Sequence, residues 1–181
     1  DFAEVGRRYL AQTRWRANGK RYYVDKLPPN YLLAGFIRRA LPKAPILHMT
    51  RASMDVCFSN FRAFFGDLYR YSYAFEPLAA HYRNYRRLMA HWRAAMPGHV
   101  LDIPYARLVN DTDAVVREVL AHCRLPFEDG CADLGRNRTP VATLSSAQVR
   151  EPIHARALGE WQRYAEGLAP LRAALGSLAE L

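Results

Sequence analysis

The order of elements along the chain predicts a single α/β domain over residues 1–181, with a parallel sheet flanked by helices. Three observations carry this. Short apolar runs stand at Tyr22-Tyr23-Val24, Ile46-Leu47-His48-Met49 and Val100-Leu101-Asp102-Ile103. Between them, apolar residues recur at helical spacing. The breaks fall at prolines and at dipeptides such as Asn18-Gly19 and Pro97-Gly98. Strands alternating with helices pack as a parallel sheet between helical layers.

Taken in order, the chain opens inside a helical pattern in which Phe2, Val5, Leu10 and Tyr9 form an apolar face opposite Arg7, Arg8 and Arg14. Asn18-Gly19 turns the chain into the run at 22–24. Asp25-Lys26-Leu27-Pro28-Pro29-Asn30 ends that run, and Asn30 is placed to cap a helix over 31–40. Leu41-Pro42-Lys43-Ala44-Pro45 stops the helix before the second run. Ser53 is expected to cap a helix reaching about Phe65. A tyrosine-rich loop follows, then Pro77 in the first turn of a long helix that ends near Met96. After the third run, Asp111 or Thr112 caps a helix over 114–122. Residues 126–144 read as loop, and two more helices start near Ala155 and Ala169.

Composition narrows the class. The 181 residues are 50% hydrophobic and 12% aromatic, enough for a packed core, which excludes a disordered chain. No run of roughly 18 uncharged apolar residues is present, so no membrane-spanning helix is predicted. Three cysteines, Cys57, Cys123 and Cys131, are too few and odd for a disulfide scaffold. They read as small hydrophobes in a reducing compartment, and a cytoplasmic location is expected. The first residue is Asp1, inside a helical pattern and with no signal-peptide signature, so a truncated chain is expected.

The net charge is +9, but it is uneven. Residues 1–100 carry +11, and the rest carry −2. Lys20, Lys26 and Lys43 are the three lysines among 26 basic residues. Arginine forks and a basic front half point to an anionic partner, though biased composition gives the same excess.

Ligands of open parallel sheets bind beyond the carboxyl ends of strands, which singles out three segments. Lys26 follows the first run and can neutralise charge on a transferred group, although position alone favours a solvated loop lysine. Arg51 leaves the second run, and Ser59 lies in the helix that follows. Together they can bind a phosphate near a helix start, or stand as an exposed arginine and a helix serine. The third segment runs from Arg138 to Ile153 and is rich in hydroxyls, with Gln148 and Arg150 behind Ser145. It can fold over an anion, or Ser145 and Gln148 can form a capping box.

In this order the segments resemble the sulfotransferases that use 3′-phosphoadenosine 5′-phosphosulfate, most of all the bacterial, often TPR-linked branch related to tyrosylprotein sulfotransferases. The resemblance rests on residues 25–30, 41–47 and Arg51…Asp55-Val56-Cys57-Phe58-Ser59. It continues through Tyr82…Tyr85…Met89-Ala90-His91-Trp92, Tyr105…Leu108-Val109, Thr143-Leu144-Ser145…Gln148-Val149-Arg150-Glu151-Pro152-Ile153 and Trp161…Tyr164. It implies a P-loop-like α/β domain, with that nucleotide as co-substrate and a hydroxyl-bearing acceptor: a peptide tyrosine, a carbohydrate or a small molecule. It implies Arg51 and Ser59 on the 3′-phosphate, and Lys26 and Ser145 near the transferred sulfuryl group. Gln148 and Arg150 would belong to a late cofactor-binding loop.

The chain also departs from that pattern. The family's Gly-rich loop for the 5′-phosphosulfate is missing, as is the acidic general base of the tyrosylprotein branch. Ala52-Ser53 stands where Asp-Pro or a similar pair is usual, and Ala106 where Glu is usual. The expectation is therefore the C-terminal two-thirds of a sulfotransferase domain, missing its first strand and weak or inactive alone. The alternative is a non-catalytic basic module for nucleotides or nucleic acid; DNA is not expected. No GxxxxGK[ST] sequence argues for a P-loop kinase. No four-ligand cysteine and histidine spacing argues for zinc, so no metal is expected. Tyr82, Tyr85, Met89, Trp92 and Met96 repeat at 3–4 spacing, which reads as a helix burying its aromatic stripe rather than as a base-stacking platform.

Overall fold

Two strands and seven α-helices joined by 3₁₀ turns make up the described residues, 1–133 and 155–180, of the computed structural model. They fall into two compact units, Asp1–Ile46 with Arg87–Val100, and Leu47–Arg86 with Leu101–Leu181.

In the first unit, α1 (Phe2–Thr13) starts where the Asp1 side chain accepts a hydrogen bond from Ala3 N at 3.0 Å. Its packing face is only part of the expected apolar stripe: Phe2, against Phe36, and Tyr9 are half-buried, Val5 and Leu10 are 56% and 47% exposed, and Gly6 is buried. A Cβ on Gly6 would lie 2.0 Å from the Ala40 carbonyl oxygen, so α1 approaches α2 (Ala34–Ala40) backbone to backbone. Only glycine permits that approach. A second glycine serves α2 in the same way, since Gly35 lies against the ring of Trp92, whose Nε1 donates to Tyr31 O at 2.8 Å.

Asn30 does not cap a helix over 31–40. Pro28–Leu33 forms a 3₁₀ turn, and the α-helix begins at Ala34 without a side-chain cap. Two prolines suit a first turn whose N–H groups have no intrahelical acceptor. Nor is the run at 22–24 a strand. The chain there is irregular, Val24 is 83% exposed, and Tyr23 is tied through its hydroxyl to that of Thr13 at 2.6 Å.

The predicted parallel sheet is present as β1 (Ile46–Thr50) beside β2 (Val100–Pro104). Ile46 N donates to His99 O at 3.1 Å where the strands enter. The fold class is α/β, a small parallel sheet flanked by helices, helical overall.

The core of the second unit gathers Met54, Cys57 and Phe58 from α3 (Ser53–Arg62) with Leu78, Ala79 and Tyr82 from α4 (Phe75–Ala95). Leu168 joins them with Leu171 and Leu175 of α7 (Ala169–Leu175). Tyr82 and Met89 of α4 are buried, as is Met96 just past its end, so the stripe packs inward. Burial pushes the Tyr82 hydroxyl up from its ordinary value, and the Cys57 thiol up to about 12. Cys57 is thus the small buried hydrophobe expected, whereas Cys131 is exposed.

Beyond β2, α5 (Tyr105–Asn110) and α6 (Thr112–His122) are separated by Asp111, whose side chain accepts from Ala114 N at 3.4 Å. The helix expected from Ala155 is instead two short 3₁₀ turns, Ala155–Ala157 and Glu160–Tyr164. Gly159, at φ +69°, stands between them, and a left-handed residue ends helical propagation.

Candidate functional site

A parallel strand delivers its last residues to one edge of the sheet, and the next helix begins there. β1 ends at Thr50, and Arg51 and Ala52 lead into α3. Ala52 occupies the cap position and offers no side-chain acceptor, so the first N–H groups of α3 lack a side-chain cap. Ser53 does not cap α3 but is its first residue, fully buried.

Arg51 is held from three directions. Its Nη2 donates to the Ala157 carbonyl and stands 4.0 Å from Asp55 Oδ1. Its Cζ lies 5.5 Å from the centre of the Tyr105 ring. Arg51 Nε and Ser53 Oγ are buried with no hydrogen-bond partner among the described residues. A buried polar group left unpaired costs about 1–3 kcal/mol, so among the described residues this corner is short of an acceptor. A phosphate oxygen is such an acceptor, and a guanidinium with a spare N–H beside an uncapped helix start fits it.

Asp55 lies one turn into α3 and is 4% exposed, and both of its oxygens accept from Gly159 N, at 2.9 and 3.2 Å. Ser59 follows Asp55 by four residues, on the same face of the helix and half-buried. Farther along α3, Arg62 pairs with Glu160 and holds that carboxyl below its ordinary value. The turn at 155–160 is therefore anchored to α3 and its lead-in through Arg51, Asp55 and Arg62.

Lys26 belongs to the first unit and is exposed. Its neighbour Asp25 accepts from the Tyr9 hydroxyl and lies 3.5 Å from Arg16. Ser145, Gln148 and Arg150 lie outside the described residues. An open groove of about 710 Å³ in the first unit is lined by Phe2, Arg38, Arg39 and Met96 among others, and by neither Lys26 nor Arg51. The loop tyrosines are engaged within the loop and against α4. Tyr71 stacks on His81 at 3.7 Å, and Tyr73 OH accepts from Phe65 N and donates to Gly66 O.

Sequence reasoning missed two groups. Asp55 was legible as an i, i+4 partner of Arg51, but its buried bond to Gly159 spans 104 residues and leaves no local signal. His48, inside an apolar run, joins Asp102 of β2 to Tyr85 of α4, at 2.6 and 2.5 Å.

A sequence profile of the Sulfotransferase family matches residues 2–129. An uncharacterized protein of Aquifex aeolicus (strain VF5) is 34% identical over 151 residues, which is 82% of this chain and 20% of that protein. The chain thus spans about a fifth of the length of the curated relative it matches.

Proposed function

Because this chain belongs to the sulfotransferase family, we propose that it forms part of a protein that transfers a sulfuryl group from 3′-phosphoadenosine 5′-phosphosulfate to a hydroxyl acceptor, with Arg51 gripping the 3′-phosphate. The observation that carries this is the buried Nε of Arg51 at the exit of β1, which has no hydrogen-bond partner among the described residues, beside the start of α3 that lacks a side-chain cap. Ser59, on the face of α3 that carries Asp55, would add a hydroxyl donor to the same phosphate. The resemblance would give Lys26 and Ser145 roles toward the transferred group, and Gln148 and Arg150 roles in holding the nucleotide. A peptide tyrosine, as in the tyrosylprotein branch the sequence resembles, is one acceptor within this reading.

The nucleotide supplies the sulfuryl group and a leaving phosphate. The chain supplies fixed cations and hydrogen-bond donors, which do most of the work in an in-line transfer of this kind. In this reading Arg51 acts by binding and orientation.

Calorimetric titration tests the reading. The chain should bind adenosine 3′,5′-bisphosphate more tightly than adenosine 5′-monophosphate, and Arg51→Ala should erase that preference. A charge-assisted fork lost here costs about 1.5–3 kcal/mol. Equal weakening toward both nucleotides would remove Arg51 from the 3′-phosphate.

A further inference from the structure

We infer that Asp55 is a positioning residue for Arg51, acting through the turn at 155–160, so that phosphate binding and the order of that turn are coupled. The inference rests on the reading of Arg51 as the 3′-phosphate grip, and it assigns a role to residues outside that grip.

The geometry is a closed circuit. Asp55 Oδ1 and Oδ2 both accept from Gly159 N, at 2.9 and 3.2 Å. Two residues earlier in the same turn, the Ala157 carbonyl accepts from Arg51 Nη2. Arg51 Nη2 in turn stands 4.0 Å from Asp55 Oδ1. Asp55 is 4% exposed, so water does not compete for its oxygens. The circuit engages one corner of the guanidinium and leaves the buried Nε without a partner among the described residues. A planar fork has few ways to turn once one Nη is tied, so fixing Nη2 fixes where Nε points.

Gly159 suits this role because its left-handed backbone, φ +69°, belongs to the bend that turns its N–H toward α3. Arg62 and Glu160 pair at the next residue, which makes three anchors within six residues of chain. Without the Asp55 anchor, Ala157 is no longer held on Nη2, and the guanidinium regains freedom that phosphate binding must then remove. By linkage the effect is reciprocal: an anion that fixes Arg51 must stabilise the turn.

Two measurements on the 181-residue chain test this. In the wild type, amide exchange at Gly159 should slow several-fold on adding adenosine 3′,5′-bisphosphate and stay unchanged with adenosine 5′-monophosphate. By titration, Asp55→Ala should cut the preference for the bisphosphate at least tenfold. Asp55→Asn keeps an acceptor of the same shape and should hold that preference within threefold of wild type. Circular dichroism identifies a variant that fails to fold, in which case the wild-type exchange measurement decides. If Arg51→Ala abolishes the preference but Gly159 exchange is indifferent to the bisphosphate, or a folded Asp55→Ala keeps the preference, the positioning role falls and the phosphate grip stands. If Arg51→Ala leaves the preference intact, the grip falls and the positioning role with it.

Discussion

His48 Nδ1 lies 2.6 Å from Asp102 Oδ1, so a side-chain bond joins β1 to β2 alongside their backbone ladder. The other ring nitrogen of His48 meets the Tyr85 hydroxyl at 2.5 Å, which extends the tie to α4. The His48 side chain is 12% exposed. A polar residue on a strand this short is tolerated because both of its nitrogens are used. His48→Leu should therefore destabilise the chain by about 1–3 kcal/mol in urea unfolding, and Asp102→Asn by less, since Asp102 is more exposed. A His48→Leu effect below about 0.5 kcal/mol would mean that the bonds add nothing to the packing.

Gly6→Ala and Gly35→Ala separate two kinds of close approach. In a helix, alanine is favoured over glycine by about 1 kcal/mol, so open space would make either change stabilising. At Gly6 the new Cβ meets backbone, Ala40 O at 2.0 Å, which cannot move aside locally. At Gly35 it meets the Trp92 ring at 2.8 Å, and a side chain can tilt. Gly6→Ala should cost about 1–3 kcal/mol, and Gly35→Ala less. Denaturant midpoints for the two variants in the reverse order would contradict this.

Alkali should unfold the chain through groups held neutral. Burial, and then the bond to Asp25, pushes the Tyr9 hydroxyl up to about 12 from 10.0. Burial pushes the Cys57 thiol up to about 12 from 9.0. A value raised by folding favours the protonated form, so the stability it brings is intact below the unfolded value and lost as pH rises toward the folded one. The melting temperature should hold to about pH 9 and then fall through pH 12. Tyr9→Phe should flatten the upper part of that fall; curves that remain parallel would show that Tyr9 does not contribute.

Arg51→Lys tests the chemistry of the grip rather than its charge. Lysine keeps the charge and loses the planar fork, including the Nε that has no partner among the described residues. Its affinity for adenosine 3′,5′-bisphosphate should stay within about threefold of that of Arg51→Ala. Recovery to the wild-type value would reduce Arg51 to a point charge.

Much of this was legible in the sequence, and what was not has physical causes. The runs at 46–49 and 100–103 are flanked by punctuation and long enough to pair, and they became β1 and β2. The run at 22–24 is also rich in strand-forming residues but has no paired neighbour among the described residues. Composition reports strand propensity, and a strand also needs an edge to join. The apolar pattern of α1 pointed to Phe2, Val5, Leu10 and Tyr9 for its packing face, of which Val5 and Leu10 are exposed, whereas its closest contact is made by Gly6, the position with no side chain. Arg51 was legible from its place after a strand. Asp55 as its anchor was not, because the partner that gives Asp55 meaning is far along the chain.

Those long separations bear on how the protein is made. Arg51 reaches Ala157, Asp55 reaches Gly159, and Arg83 donates to Ala174 O, across 106, 104 and 91 residues. A ribosome adding residues from the amino end releases α3 and α4 long before Leu171 and Leu175 emerge to cover Met54, Phe58 and Tyr82. During synthesis those surfaces stay wet and sticky, and loop closure over such distances is slow. Chaperone dependence during translation should accordingly centre on the helices that wait longest for their covering.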